Sequence, residues 1–373
     1  MAVSRASIAS LSLRDFRNFE RLQLEIPDAG FVLVGENGHG KTNLLESVAY
    51  LSLLRSVRGA RDADVTRFGA PGFFIEARAA VPATHLLSVG FERGTKRKRV
   101  RRDGAVVERL SDALGALPTV MFSPGDVDLV AGAPSARRRY LDIMLALTSR
   151  GYLGALQQYR AALERRNAAL RDAARHPSRA SAIEVWEGPL AQHGAALIRG
   201  RAAWVRRVAA RFGELCTAIG ERGKVELRYA ANVDPSAESV EEALSAALAA
   251  RRTVDLKLGL THSGPHRDDL TLLLDGRELR SFGSAGQQRT AAIALRMLEA
   301  ETLRDANDAS PVFLFDDPFA ELDAARSARV LRLLQEIGLG QTILAVPRDS
   351  DIPPALTPLP RFRIVNGAIE GSA

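Results

Sequence analysis

Eight residues, Gly35-Glu36-Asn37-Gly38-His39-Gly40-Lys41-Thr42, constrain this chain more than any other stretch. They fit Gly, any four residues, then Gly-Lys-Thr, and they lie between an apolar run, Phe31 to Val34, and an apolar helical pattern from Leu44 to Leu54. A strand, a glycine-rich loop and a helix in that order aim converging backbone N–H groups and the positive helix end at one point. That point suits nucleotide phosphates. Gly35, Gly38 and Gly40 let the backbone close in, with Glu36, Asn37, His39 and Asn43 completing the cradle. Lys41 is placed to reach the β- and γ-phosphates and Thr42 to ligate magnesium. ATP with Mg2+ is the expected cofactor pair.

A second segment completes such a site. Val312-Phe313-Leu314-Phe315 reads as a buried strand that ends in Asp316-Asp317. Asp316 is expected to face the magnesium, and Asp317 to act as general base or water-orienting group at the γ-phosphate. An apolar run ending in two aspartates means little by itself. Paired with the glycine loop, it points to an ATPase in which Lys41 and Asp317 are the catalytic candidates.

The rest of the chain supplies the frame. Alternation at Leu11, Leu13, Leu22, Leu24 and Ile26 predicts a hairpin, and further strands are expected at Phe73 to Val81, Leu86 to Phe91 and Thr119 to Phe122. After the breaker Ser123-Pro124-Gly125 the period changes: Ile183, Trp186, Leu190, Leu197, Trp204, Val208, Phe212 and Leu215 fall at helical spacing. Strand signals resume at Leu270 to Leu274. The expected fold is therefore α/β, a P-loop ATPase lobe built from residues 1–125 and 256–373 with a mainly helical lobe, 126–255, inserted between them.

Composition narrows the setting. The 373 residues exceed the size at which one core usually keeps growing. A single cysteine, Cys216, excludes an internal disulfide and fits a reducing cytoplasm. Met1 to Ser10 lacks an apolar core of signal-peptide length, and no run of apolar residues is long enough for a membrane span. A net charge of +7 favours a polyanionic partner. Lys96, Arg97, Lys98, Arg99, Arg101 and Arg102 form a basic tip between two expected strands, a candidate for contacts to DNA phosphates. No aromatic residue is interleaved to stack bases, so duplex backbone is the expected target. Arg137 to Arg139 could serve similarly, or pair with neighbouring acids.

Gly283-Ser284-Ala285-Gly286-Gln287-Gln288-Arg289 is a second phosphate-type loop ahead of a helix. One nucleotide has no room for two such cradles from one chain. Ser284, Gly286 and Gln287 are therefore expected to cap ATP held by another copy, unless they serve only as a helix cap.

These motifs occur in one order together with Asp15-Phe16-Arg17-Asn18-Phe19, Arg55-Ser56-Val57-Arg58, Phe122-Ser123-Pro124, Arg137-Arg138-Arg139-Tyr140-Leu141-Asp142, Gly264-Pro265-His266-Arg267-Asp268-Asp269 and Pro318-Phe319-Ala320-Glu321-Leu322-Asp323. In this the chain resembles the RecF family of bacterial recombination-mediator ATPases, whose heads resemble those of SMC-type and ABC-type ATPases. The resemblance implies a homodimer that sandwiches two ATP molecules and binds double-stranded DNA near single-strand gaps. It also implies mediator proteins and a recombinase as partners, a cytoplasmic, nucleoid-associated place and no membrane. By the same resemblance Arg17 and Asn18 touch the nucleotide phosphates and Asp323 communicates across the dimer; Gly264 to Asp269 marks the family without a stated role. The strand Gln341 to Val346 ends in Pro347-Arg348-Asp349, lacking the histidine that often meets the γ-phosphate in ABC proteins. Slow turnover follows, with ATP acting as a dimerisation switch. A transporter ATPase and a chromosome-organising head are the rival readings, opposed respectively by the basic segment and by an insert too short for a long coiled coil.

Overall fold

The computed structural model describes residues 4–81, 83–319 and 322–371; Ala320 and Glu321 of the segment after Asp317 lie outside them. The chain divides into two compact units. One comprises 1–127, 218–220 and 289–373, the other 128–217 and 221–288.

The first unit holds two six-stranded sheets. Buried runs with no polar alternation make the first one: Gly30–Val34, Thr342–Val346, Val312–Asp316 and Thr119–Phe122 lie side by side and parallel, flanked by Arg361–Val365 and then the antiparallel Ala368–Gly371. Strands buried on both faces read as continuous apolar runs. The helix Lys41–Leu53 follows Gly30–Val34 and is buried nearly all round, from Leu44 to Ser52. Its core partners include Phe16, Ile75, Val89 and Leu314.

The second sheet is an antiparallel meander: Phe19–Glu25, Ser7–Phe16, Gly72–Val81, Ala83–Glu92, Arg97–Arg102 and Ala105–Val106 in that order. Here the alternation predicted for the hairpin is present. Leu11, Leu13, Ile75, Ala77, Val89 and Val100 point into the core, while Arg14, Arg78, Arg99 and Arg101 point to water. Gln341 stitches the first strand in place, its amide accepting from Ile8 N (2.7 Å) and donating to the carbonyls of Ile8 (2.8 Å) and Pro27 (2.9 Å).

The other unit carries the long helices Pro134–Thr148, Arg150–Arg175, Glu187–Ile219 and Val240–Leu258. It is not purely helical. Val225–Ala230 pairs antiparallel with Asp269–Leu274, which pairs in turn with Arg277–Glu278. The strand at Leu270 to Leu274 was expected in the ATPase lobe; its actual partner, and the boundary between the units after Gln288, put 256–288 with the inserted unit. Alternating apolar residues announce a strand but carry no information about which strand it joins.

Gly264 to Asp269 gains a physical account here. Arg201, buried on the helix Glu187–Ile219, donates to Asp142 (2.7 Å), Tyr152 Oη (3.0 Å), the Pro265 carbonyl (2.7 Å) and Asp268 (3.4 Å). Asp268 also accepts from the Tyr229 hydroxyl and from Asn232 N. Arg137 forks onto Asp269 (2.7 and 2.8 Å), and Arg138 donates to the Asp268 carbonyl. Arg137 and Arg138 are thus paired within the unit, the second of the two uses open to them. His266 sits between Tyr159 Oη (2.6 Å, to Nδ1) and the Thr261 carbonyl (2.9 Å, to Nε2), an arrangement that fits the neutral Nε2–H tautomer. The segment is a buried polar hub.

Candidate nucleotide site

The loop Gly35 to Gly40 leaves the C-terminal end of Gly30–Val34, and Asp316 leaves the same edge of the sheet two strands away, across Thr342–Val346. Ligands of open α/β sheets gather at that edge. Gly38 (φ 88°) and Gly40 (φ 111°) adopt the left-handed conformation that the turn into the helix requires. A Cβ on Gly40 would stand 2.4 Å from the Asn18 amide nitrogen, so the close approach also excludes a side chain.

Thr42 Oγ1 lies 2.9 Å from both carboxylate oxygens of Asp316, and its hydroxyl donates to that group. Lys41 Nζ donates to the carbonyls of Gly35 (2.5 Å) and Glu36 (2.9 Å) and, at 3.4 Å, to Asn37 Oδ1. Burial pushes the Lys41 ammonium down from its ordinary value, against the pull of Asp316 and Asp317. Burial likewise raises Asp316, opposed by the Thr42 hydroxyl and Lys41. It raises Asp317 too, with Asp351 adding to the rise. Asp317 holds φ 46°, a conformation non-glycine residues seldom adopt outside constrained sites. Hydroxyl and carboxylate oxygens converging at one point fit a hard cation such as magnesium.

One recess is lined by Gly38, Gly40, Lys41, Thr42, Asp316 and Asp317 together with Arg58 and Pro347. Arg17 and Asn18 line the neighbouring recess with Asn43 and Phe68. Arg17, at φ 54°, forks onto the buried Glu46 (2.9 and 3.0 Å). Asn18 donates to the His39 carbonyl (3.1 Å) and accepts from Asn43 (2.8 Å), bracing the loop from the side.

No family model matches the chain. It is 35% identical over 362 residues to the DNA replication and repair protein RecF of Salinibacter ruber, a match covering 94% of this chain and 87% of the relative. The chain belongs to the RecF family. The RecF of Frankia alni is 36% identical over 365 residues, covering 94% of this chain and 96% of the relative. The solved recombination mediator protein RecF-ATPrS of the RecFOR pathway superposes with a TM-score of 0.91 at 27% identity over the whole of both chains. An Smc head from Pyrococcus furiosus, bound to the C-terminal domain of ScpA, superposes at 0.56 with 16% identity over 98% of this chain and 96% of its own. The fold is that of RecF and SMC-type ATPase heads.

Three features of this RecF-family site escaped the sequence. The turn Asn366-Gly367 props the loop from the other side, Asn366 N donating to His39 Nδ1 (3.0 Å) and Gly367 N to the His39 carbonyl (3.0 Å). Arg58 belongs to a motif that identified the family but had no role; it lines the recess of Lys41 and Thr42, 4.0 Å from Glu46. Phe68, 98% exposed, lines the recess with Arg17, and nothing local distinguishes it from any other phenylalanine.

Other expected residues fall elsewhere. Ser284 and Gln287 belong to the inserted unit and cap the helix Ala285–Asn307 reciprocally, Ser284 N donating to Gln287 Oε1 (2.9 Å) and Gln287 N to Ser284 Oγ (3.3 Å); Gly286 lies in its first turn. Asp323 caps Ala324–Ile337 by accepting from Arg326 N (2.7 Å), its side chain otherwise exposed. In the basic segment Lys96 lies in the turn and Arg97–Arg102 forms the strand that follows it. In it Lys98 turns inward, pairing with Asp62 (2.8 Å), donating to the Leu54 carbonyl (2.7 Å) and lying 5.2 Å from the Tyr50 ring centre. A cation belongs at that helix C-terminus. Lys98 is thus engaged inside the protein and offers no free ammonium to a DNA phosphate. Arg102 contacts His85, while Lys96, Arg97, Arg99 and Arg101 remain exposed.

Proposed function

We propose that this chain is an ATP-gated DNA-binding protein of recombinational repair, which dimerises on ATP, binds duplex DNA near single-strand gaps and aids recombinase loading. The observation that carries it is the meeting of Thr42 with Asp316, 274 residues apart in sequence, beside Lys41 and Asp317. Belonging to the RecF family supplies the repair context.

Lys41 and the loop amides hold the β- and γ-phosphates, while Thr42 and Asp316 hold magnesium. The ion, when bound, neutralises charge building on the phosphates. Asp317 positions the attacking water or takes its proton, and its raised proton affinity suits that task. Ser284, Gly286 and Gln287 of a second copy close over the γ-phosphate, with Asp323 relaying the state across the dimer. Hydrolysis is slow and releases the dimer.

The test is binding of a fluorescent gapped duplex across a salt series with ATP, with ADP, and with the K41A variant. ATP should strengthen binding and Lys41→Ala should remove that gain. Tight nucleotide binding with no DNA binding in any state would end the repair reading.

A further inference from the structure

Pairing register across the meander sheet sets one row of residues directly opposite one another on its wet face: Arg21, Arg14, Phe74, Gly90 and Arg99. Arg97 and Arg101 flank Arg99 on the same face of its strand, two residues either way. Arg14, Arg21, Arg97, Arg99 and Arg101 are all exposed. None of them makes an ion pair among the described residues.

A wet sheet face is ordinary in an antiparallel sheet, and charged residues there usually mix in sign and pair. Elsewhere in this chain arginines do pair, as Arg67 does with Asp15 and Arg252 with Glu187. On these rows Glu76 and Glu92 are present, yet neither engages the five guanidiniums; Glu92 accepts instead from Thr95. The cations of the row are all arginine, whose planar fork matches phosphate oxygens two at a time.

The arginines form two rails. Arg14 and Arg21 are neighbours on one side, and Arg97, Arg99 and Arg101 on the other. Between Arg14 and Arg99 stand three interstrand gaps, about 14 Å at the usual strand spacing. The floor between them is low, made of Gly90 and the half-buried Phe74, over which the Arg14 guanidinium lies at 5.8 Å. Two rails separated by about the width of a major groove, roughly 12 Å, can hold the phosphates of both strands at once.

The geometry points to this face as the duplex cradle: Arg14 and Arg21 hold phosphates of one strand, and Arg97, Arg99 and Arg101 those of the other. It rests on the DNA-binding reading above and adds where, and in what form, DNA is held. Because the floor has one aromatic ring rather than a series of stacking platforms, the face selects duplex over single strand.

Two variants of the full chain test it, R14Q/R21Q and R97Q/R99Q/R101Q, each checked for unchanged ATP affinity. Binding of a blunt duplex and of a single strand of equal length is measured with a slowly hydrolysed ATP analogue at several salt concentrations. Each phosphate that is no longer neutralised should lower the magnitude of the slope of log K against log salt by about 0.9. The expected falls are thus roughly two for the first variant and three for the second, with duplex affinity at low salt down at least tenfold and single-strand affinity changed less. Duplex affinity and slope equal to the unsubstituted chain in both variants would overturn the cradle and leave the DNA-binding reading intact. Equal losses for duplex and single strand would overturn the two-rail geometry. Failure of the unsubstituted chain to bind duplex at all would remove the DNA-binding reading, and the cradle with it.

Discussion

Gly40 shows how narrowly the phosphate loop is specified at the level of single residues. Its φ of 111° and the Asn18 amide 2.4 Å from a would-be Cβ penalise any side chain twice, by conformation and by contact. Gly40→Ala is expected to destabilise the chain by about 1–3 kcal/mol and to weaken ATP binding at least tenfold, read by thermal shift and by nucleotide titration. Wild-type affinity in that variant would refute the tight bracing by Asn18. Asp317 makes a different kind of prediction, because the role proposed for it is chemical rather than structural. Asp317→Asn should leave ATP binding intact and lower single-turnover hydrolysis by roughly 10²- to 10⁴-fold, the usual contribution of a positioned base. Unchanged turnover would instead make the protein a clamp whose slow hydrolysis does not use this carboxylate. Gly38 and Gly40 were legible because the left-handed turn into the helix requires glycine there. Lys98 was not, since a lysine among arginines looks the same whether it faces water or caps a buried helix end.

At the scale of elements, strands and helices could be read from their periods, but their partners could not. The strand Asp269–Leu274 pairs with Val225–Ala230, and the hub formed by Gly264 to Asp269 draws on Asp142, Tyr159, Arg201 and Tyr229 from separate elements. Only the folded chain brings them together. Arg201 bridges Asp142 and Asp268 in that hub: removing it leaves Asp268 with the Tyr229 hydroxyl and Asn232 N and Asp142 with Tyr152 and Arg160, and breaking one partner of a buried ion pair costs about 3–5 kcal/mol. Urea unfolding of R201A should show a loss of that size, and a loss below about 1 kcal/mol would mean the hub is poorly coupled. His266 adds a pH dependence of known sign. Burial pulls its imidazole from 6.5 down to about 4. Between those values the unfolded chain binds the extra proton, so stability falls as pH falls through the window, by about 2–3 kcal/mol at pH 4.5. In His266→Gln that component is gone. The stability difference between the two proteins should therefore shrink from pH 7 to pH 4.5 in paired urea titrations; a constant difference would show that His266 is not held neutral.

At the scale of the whole molecule, Thr42 near one end of the chain and Asp316 near the other meet in one candidate site. The glycine loop and Asp316 belong to one compact unit and the Ser284 loop to the other, with the helix Ala285–Asn307 running from one into the other. In the dimer proposed above, a nucleotide cradled by Lys41 and Thr42 would take donors for its remaining face from a second copy. In the proposed dimer association depends on the γ-phosphate, since this group distinguishes ATP from ADP and is the one the second copy's donors would close over. The chain of 40.3 kDa should therefore sediment as a monomer with ADP and as a dimer with ATP when hydrolysis is blocked by Asp317→Asn. Ser284→Arg puts a bulky cation where, in that proposal, the serine would meet the partner's nucleotide. On that proposal its ATP affinity should stay unchanged, while the ATP-dependent dimer should be lost and duplex affinity should fall with it. Persistence of the dimer in that variant would place the contact between copies elsewhere. Loss of ATP affinity without any dimer in the parent protein would mean that the Ser284 loop serves its own nucleotide.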